Sequence, residues 1–165
     1  MEYLALSDST IVLDVNGAIQ VITDDRNSRL LLDLTNATQR EPKDSPRYSD
    51  ALDELITEQR KIRNRPGGYW LAGADPSAAL ETLTGAVPLG SLRRAVLLTD
   101  GASSLVTTYG LKSWPDLLDQ IDKAGPQSVI REAREAEASD PQGVKWPRYK
   151  RSDDATIVAA SLAND

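Results

Sequence analysis

The pair Asn16-Gly17, set between the runs Thr10-Ile-Val-Leu-Asp-Val15 and Ala18-Ile-Gln-Val-Ile-Thr23, constrains this chain more than any other feature. Both residues accept the positive φ that a type I′ turn demands, and strand-like runs flank them, so the segment reads as a β-hairpin. Tyr3-Leu-Ala-Leu6 is also strand-like, which predicts a three-stranded antiparallel meander over residues 1–24 with a corner at Ser7-Asp8-Ser9. With helical periodicities downstream, this opening predicts an α+β fold: antiparallel β-sheets with flanking helices.

After Asp24-Asp25-Arg26, Leu30 to Leu34 carries no clear period, and the polar stretch Gln39 to Arg47, with Pro42 and Pro46, reads as a loop. Ser49 or Asp50 caps a helix whose apolar stripe is Leu52, Leu55, Ile56 and Ile62, ending at Pro66-Gly67-Gly68. Its cluster Arg60, Lys61, Arg63 and Arg65 reads as a solvated face. Tyr69 to Ala72 is strand-like, and Asp75-Pro76 opens a short helix. Ser113-Trp-Pro-Asp116 has the form of a capping box ahead of the stripe Trp114, Leu117, Leu118 and Ile121. Beyond Gly125-Pro126, Val129, Ile130 and Ala133 mark a helix whose exposed face carries Arg131, Glu132, Arg134, Glu135 and Glu137.

Two absences bound the chemistry. The 165-residue chain contains no cysteine and no histidine, which removes thiolate nucleophiles, Ser-His-Asp catalysis and every thiolate- or imidazole-ligated metal site. Carboxylates, hydroxyls, Lys and Arg remain, so a bound metal must be a hard cation held by oxygen, of the Mg²⁺ or Mn²⁺ kind. A net charge of −6 speaks against nucleic acid as a partner. With no apolar run of membrane-spanning length and no charged-then-apolar leader, the expectation is a cytoplasmic protein with no membrane association.

Carboxylates recur at the ends of apolar runs. Ala95-Val-Leu-Leu-Thr-Asp100-Gly101 delivers one Asp to a turn after a buried strand, Asp8 stands at the first corner, and Asp153-Asp154 opens the run Ala155 to Leu162. An Asp-Gly pair alone most often makes an ordinary turn. If the strands share a sheet, the acidic ends converge. A basic segment, Lys145 to Arg151, runs directly into the last pair.

In this order the pieces resemble the C-terminal half of the bacterial-type protein phosphatase 2C family, the metal-dependent serine/threonine phosphatases. Leu6-Ser-Asp8-Ser9, followed by a hairpin and Val21-Ile-Thr-Asp24-Asp25-Arg26, is similar to the family's Gly-Asp-Ser corner and the segment after it. Leu97-Leu-Thr-Asp100-Gly101 is similar to its Ser-Asp-Gly motif, and Ser152-Asp153-Asp154-Ala-Thr156 to its terminal Asp-Asn or Asp-Asp motif. Ser7 stands where the family has Gly. The matched blocks span nearly the whole chain.

The resemblance implies part of a four-layer αββα sandwich in which this chain, residues 1–165, supplies a single incomplete domain: the meander at 1–24, a loop and helix at 36–70 in the position of a flap, and the metal-site strands and helices at 93–165. It implies two Mg²⁺ or Mn²⁺ ions with Asp100 and Asp153 as ligands, Asp8 at an additional metal site, and Asp154 and Gly101 beside them. Two such ions about 3.5–4 Å apart activate a water as hydroxide and neutralise charge on a transferring phosphoryl group, so no protein nucleophile is needed. The implied substrate is a phosphoprotein carrying phosphoserine or phosphothreonine. In the family, the phosphate-holding Arg and the Asp that bridges both metals lie in the N-terminal half, so a missing half or a second chain is expected as a partner. The other expectation is a non-catalytic phosphatase-like binding module.

Overall fold

The computed structural model describes residues 1–162. Its centre is a four-stranded antiparallel sheet in the order β3-β2-β5-β6, built from β2 (Thr10–Val15), β3 (Ala18–Ile22), β5 (Leu92–Leu98) and β6 (Ile157–Ser161). The hairpin forms as the sequence predicts: Asn16 and Gly17 take φ of 54° and 88°, and Asp14 Oδ1 accepts the Gly17 amide at 2.8 Å.

The meander does not form. Strand β1 (Glu2–Ala5) leaves the hairpin and pairs with β4 (Leu83–Ala86) in a separate two-stranded antiparallel sheet. The cause is local: Ser7 adopts φ 62°, a left-handed conformation that turns the chain out of the plane of β2, while its carbonyl accepts the Asp24 amide at 3.1 Å. A side chain in this region costs about 1 kcal/mol relative to glycine. The place vacated beside β2 goes to β5.

The two faces of the large sheet bury different layers. Val12, Val96 and Leu98 face a helical layer made by α4 (Asp100–Thr107), α5 (Trp114–Ala124) and α6 (Pro126–Ser139), where Leu105, Leu117, Leu118, Val129 and Ala133 are fully buried. Ile11, Leu13 and Ala95 face the other way and pack with Ala5, Val87 and Leu92, bringing the small sheet against the large one. The arrangement is therefore α+β, with two antiparallel sheets and flanking helices. On the second face Leu97 and Val158 lie opposite one another across β5 and β6 and remain exposed, at 48% and 58%.

Local signals set most helix ends. The capping box at Ser113 is complete, with the Ser113 side chain accepting from the Asp116 amide and the Asp116 side chain from the Ser113 amide. Gly125, at φ 77°, ends α5 and opens α6. Leu30 to Leu34 is divided between α1 (Arg26–Leu30) and α2 (Leu32–Arg40). The helix expected from Ser49 starts earlier, as α3 (Pro46–Ile62): Ser45 caps the Tyr48 amide, and Pro46 occupies the first turn, where its missing N–H costs nothing. Asp75 caps a 3₁₀ turn at Pro76–Glu81, and Tyr69 contributes only an isolated bridge to Arg63 rather than a strand. Among the described residues no helix is long and apolar enough to cross a membrane.

Candidate functional site

Sheet register decides where the acidic residues go. Leu98 of β5 is paired with Thr10 of β2 on one side and Ile157 of β6 on the other, so these three residues form a row across one end of the sheet. Asp8 lies two residues before Thr10, Asp100 two residues after Leu98, and Asp153-Asp154 just before Ile157. Antiparallel pairing thus sends carboxylates from three distant segments to one end. Asp153 and Asp154 do not begin a strand; they lie in the extended approach to β6.

Asp100 is the first residue of α4, with Thr99 in the N-cap position, and its Oδ1 accepts the Gly101 amide at 2.9 Å. An acid in the first turn of a helix is normally favoured by the helix dipole, by about 0.3–1 kcal/mol. Here the balance goes the other way. Desolvation at the mouth of a cavity, then the Asp153 carboxylate and more weakly Asp8, push the Asp100 carboxyl above its ordinary range, against the Gly101 amide and Lys150. Lys150 binds Asp153 at 2.7 Å, and its ammonium is raised by that bond first and further by Asp100 and Asp154. An Asp100 carboxyl raised by its acidic neighbours, beside an ammonium bound to Asp153, marks an end of the sheet that is deficient in positive charge.

Gly101 is explained by packing. A Cβ there would lie 2.5 Å from the Asp154 carbonyl oxygen and 3.0 Å from that of Asp153, so only glycine lets α4 and the Asp153-Asp154 backbone approach this closely. Its own carbonyl accepts the Ser104 hydroxyl at 2.8 Å. Thr99 completes the junction: its Oγ1 donates to the Asp154 carbonyl at 3.0 Å and accepts the Thr156 amide at 3.0 Å.

Behind Asp153 stands a residue that the sequence pattern places on the surface. Glu137 is 2% exposed; its carboxylate takes Arg134 at 2.6 and 2.8 Å and the Asp153 amide at 3.4 Å, while Arg134 also donates to the Asp153 carbonyl. The alternating charges of α6 look like a solvated face because periodicity does not reveal that the chain returns over it. Glu137→Gln keeps the shape but removes the charge of this half-buried pair, and should lower the unfolding free energy by about 2 kcal/mol. Urea denaturation checks this; a change within a few tenths of that of wild type would mean that the pair is solvated.

The basic segment is largely used internally. Arg148 binds the buried Asp140 at 3.2 Å, Asp140 also accepts the Val144 and Trp146 amides, and Lys145 lies 4.0 Å over the Trp146 ring. Arg60, Lys61, Arg63 and Arg65 are exposed, with Lys61 bonded to Glu58.

The donor set at the acidic end consists of oxygen alone, which suits a hard divalent cation, and the raised Asp100 carboxyl marks charge that such an ion would neutralise. Among the described residues no three acidic side chains lie close enough together to hold an ion by themselves. Mg²⁺-type sites retain several waters and use one or two carboxylates, so Asp100 and Asp153 fit as part of a coordination shell. Comparison with protein-family models and with curated proteins gives no match to this chain.

Next to the acidic end lies a cavity of about 350 Å³ between α4 and the α1–α3 segment. Its lining includes Asp100, Asp153 and Lys150 together with Asn27, Ser28, Thr35, Gln39, Gln59 and Tyr149. None of these neutral polar residues belongs to a motif, and no sequence signal separates them from ordinary surface residues.

Proposed function

We propose that the Asp8, Asp100 and Asp153 end of the sheet is part of a divalent-cation site for phosphoester hydrolysis, in the C-terminal portion of a phosphoserine/phosphothreonine phosphatase of protein phosphatase 2C type. The observation that carries this reading is the row Thr10, Leu98, Ile157, which gathers three ordered motif carboxylates at one end of an antiparallel sheet. Two Mg²⁺ or Mn²⁺ ions, when bound, supply an activated water and neutralise charge on the phosphoryl group. Asp100 and Asp153 would hold them, with Asp8 and Asp154 at the rim. Glu137 and Arg134 fix the Asp153 backbone, and Lys150 offers a cation to a phosphate oxygen. A second chain, or further chain of the same domain, would contribute the remaining ligands and cover the exposed Leu97 and Val158 face.

The protein with Mn²⁺ is expected to hydrolyse p-nitrophenyl phosphate in a reaction that chelation stops and added Mn²⁺ restores. Hydrolysis indifferent to chelator would overturn the metal role. A second reading, a phosphatase-like binding module without turnover, draws on the partial carboxylate set. Stoichiometric Mn²⁺ binding in calorimetry together with turnover rules it out; Mn²⁺ binding without turnover favours it.

A further inference from the structure

We infer that β6 is an interface strand through which two copies of this chain join edge to edge, antiparallel about a two-fold axis at Ala159. The join does not depend on what the acidic end binds. Strand β6 closes one side of the large sheet, with β5 on its inner edge and no strand on its outer edge among the described residues. Two bonds fix which backbone groups face outward: the Thr99 amide donates to the Thr156 carbonyl at 3.2 Å, and the Leu162 amide to the Arg93 carbonyl at 2.8 Å. Antiparallel strands turn alternate residues to each side, so Val158 and Ala160 also bond to β5, while the amides and carbonyls of Ile157, Ala159 and Ser161 point away from it. Natural sheet edges are blunted by charge, proline or a bulge. Strand β6, Ile-Val-Ala-Ala-Ser, has no charge and no proline, and its register with β5 is unbroken. All of it beyond Ile157 is exposed, Val158 at 58%.

The strand is its own complement. With Ala159 opposite Ala159 of the second copy, Ile157 of each copy faces Ser161 of the other, and every such pair of outward residues exchanges two hydrogen bonds. The residues that meet at the axis are alanines, which lets the strands approach to the usual spacing of about 4.8 Å. On the second face of the sheet the exposed row of Leu97 and Val158 runs on into Ala160 and Ala95 of the other copy, so two apolar rows merge. Charge chooses the antiparallel sense. The start of β6 adjoins Asp153 and Asp154, whereas its far end is paired with Arg94 and followed by the bond to the exposed Arg93. Antiparallel pairing brings Arg93 of each copy into the row of the other's Thr156, two strand spacings or roughly 10 Å away, and sets the two acidic ends apart. Parallel pairing would set acid beside acid. An edge of 5 residues by itself falls short of the roughly 1,200 Å² that a stable interface buries, so the dimer is a reversible, micromolar one.

The test is sedimentation velocity of the whole chain from low to high micromolar concentration, where wild type is expected to pass reversibly from monomer to dimer. Ala159→Pro removes an outward N–H and leaves the ladder to β5 intact, the kind of position at which an edge strand accepts proline. It is expected to dimerise at least about tenfold more weakly, with an unchanged circular dichroism spectrum. If Ala159→Pro does not fold, Val158→Lys and Val158→Glu decide, because residue 158 is exposed and its two copies lie diagonally across the axis on one face. Each alone should associate about tenfold more weakly than wild type, and a mixture of the two should form the dimer again. Hydrogen exchange reads the same strand residue by residue: the Ile157, Ala159 and Ser161 amides should be slowed only at high concentration, and those of Val158 and Ala160 at both. A wild type that stays monomeric, an Ala159→Pro protein that dimerises as wild type does, or outward amides left unprotected in the dimer overturns the interface. Growth beyond the dimer overturns it too, because open-ended assembly needs a second, different edge such as that of β3.

Discussion

Replacing Asp100 by Asn is expected to cut Mn²⁺-dependent hydrolysis by about 10²–10³-fold, the rate equivalent of several kcal/mol of lost charge stabilisation, while making the metal-free protein slightly more stable. The two effects have opposite signs because the same carboxylate is a ligand when a cation is present and an uncompensated charge when none is. Desolvation and the Asp153 and Asp8 carboxylates raise the Asp100 carboxyl above its ordinary range. A carboxyl raised on folding is more easily ionised in the unfolded chain, so its charge works against the fold at about pH 7. Below the unfolded carboxylate range, at about pH 3, both states are protonated and the penalty vanishes. Denaturation of wild type and Asp100→Asn without divalent ions should therefore show a gain at the higher pH that disappears at the lower. The gain is small, because Asp100 is exposed and salt screens it. With Mn²⁺ added, wild type should gain stability by mass action and the variant much less. Equal Mn²⁺ stabilisation of the two proteins would remove Asp100 from the cation site, whatever the activity.

How much of this was legible in the sequence depended on the range of the interactions. Asn16-Gly17, Ser113 to Asp116 and Gly125 act through their immediate neighbours, and the expected turn, capping box and break between helices all form. The apolar run before Asp100 forms a central strand whose end presents the acid, again a local pattern. What failed involved distant chain. The separation of β1 from the hairpin depends on one positive φ at Ser7 and on a partner strand near residue 85, neither of which strand propensity encodes. Glu137 looked solvated because helix periodicity cannot anticipate that the chain at 148–153 folds back over α6. The cavity wall was invisible for a related reason: Asn27, Gln39 and Gln59 come to line one cavity only when α1, α2 and α3 are placed opposite α4.

Gly101→Ala tests the junction that holds the two halves of the site together, and two effects compete in it. The residue is helical, and Ala is the better helix former by about 1 kcal/mol, so in isolation the change would stabilise α4. Against this, the new methyl would meet backbone, 2.5 Å from the Asp154 oxygen and 3.0 Å from the Asp154 carbonyl carbon and the Asp153 oxygen. That backbone cannot retreat freely, because Thr99 grips it through the 3.0 Å bonds to the Asp154 carbonyl and the Thr156 amide, and through the 3.2 Å bond from its own amide to the Thr156 carbonyl. Moving the strand approach aside breaks these bonds, while moving the helix disturbs the fully buried Ala102 and Leu105. Overpacking of this kind costs about 1–3 kcal/mol and more where backbone must shift, so the clash wins and a net loss of about 2 kcal/mol is expected. Gly90→Ala is the control, since a Cβ there meets nothing within 4 Å, and its effect should be near zero. The displacement also separates Asp153 from Asp100, so Mn²⁺ affinity measured by calorimetry should fall about tenfold in Gly101→Ala, a loss that stabilising osmolyte would not restore. A Gly101→Ala protein as stable as wild type, with its Mn²⁺ affinity intact, would mean that the Asp153-Asp154 segment is free to move away from α4, and that the acidic end is not a preformed site.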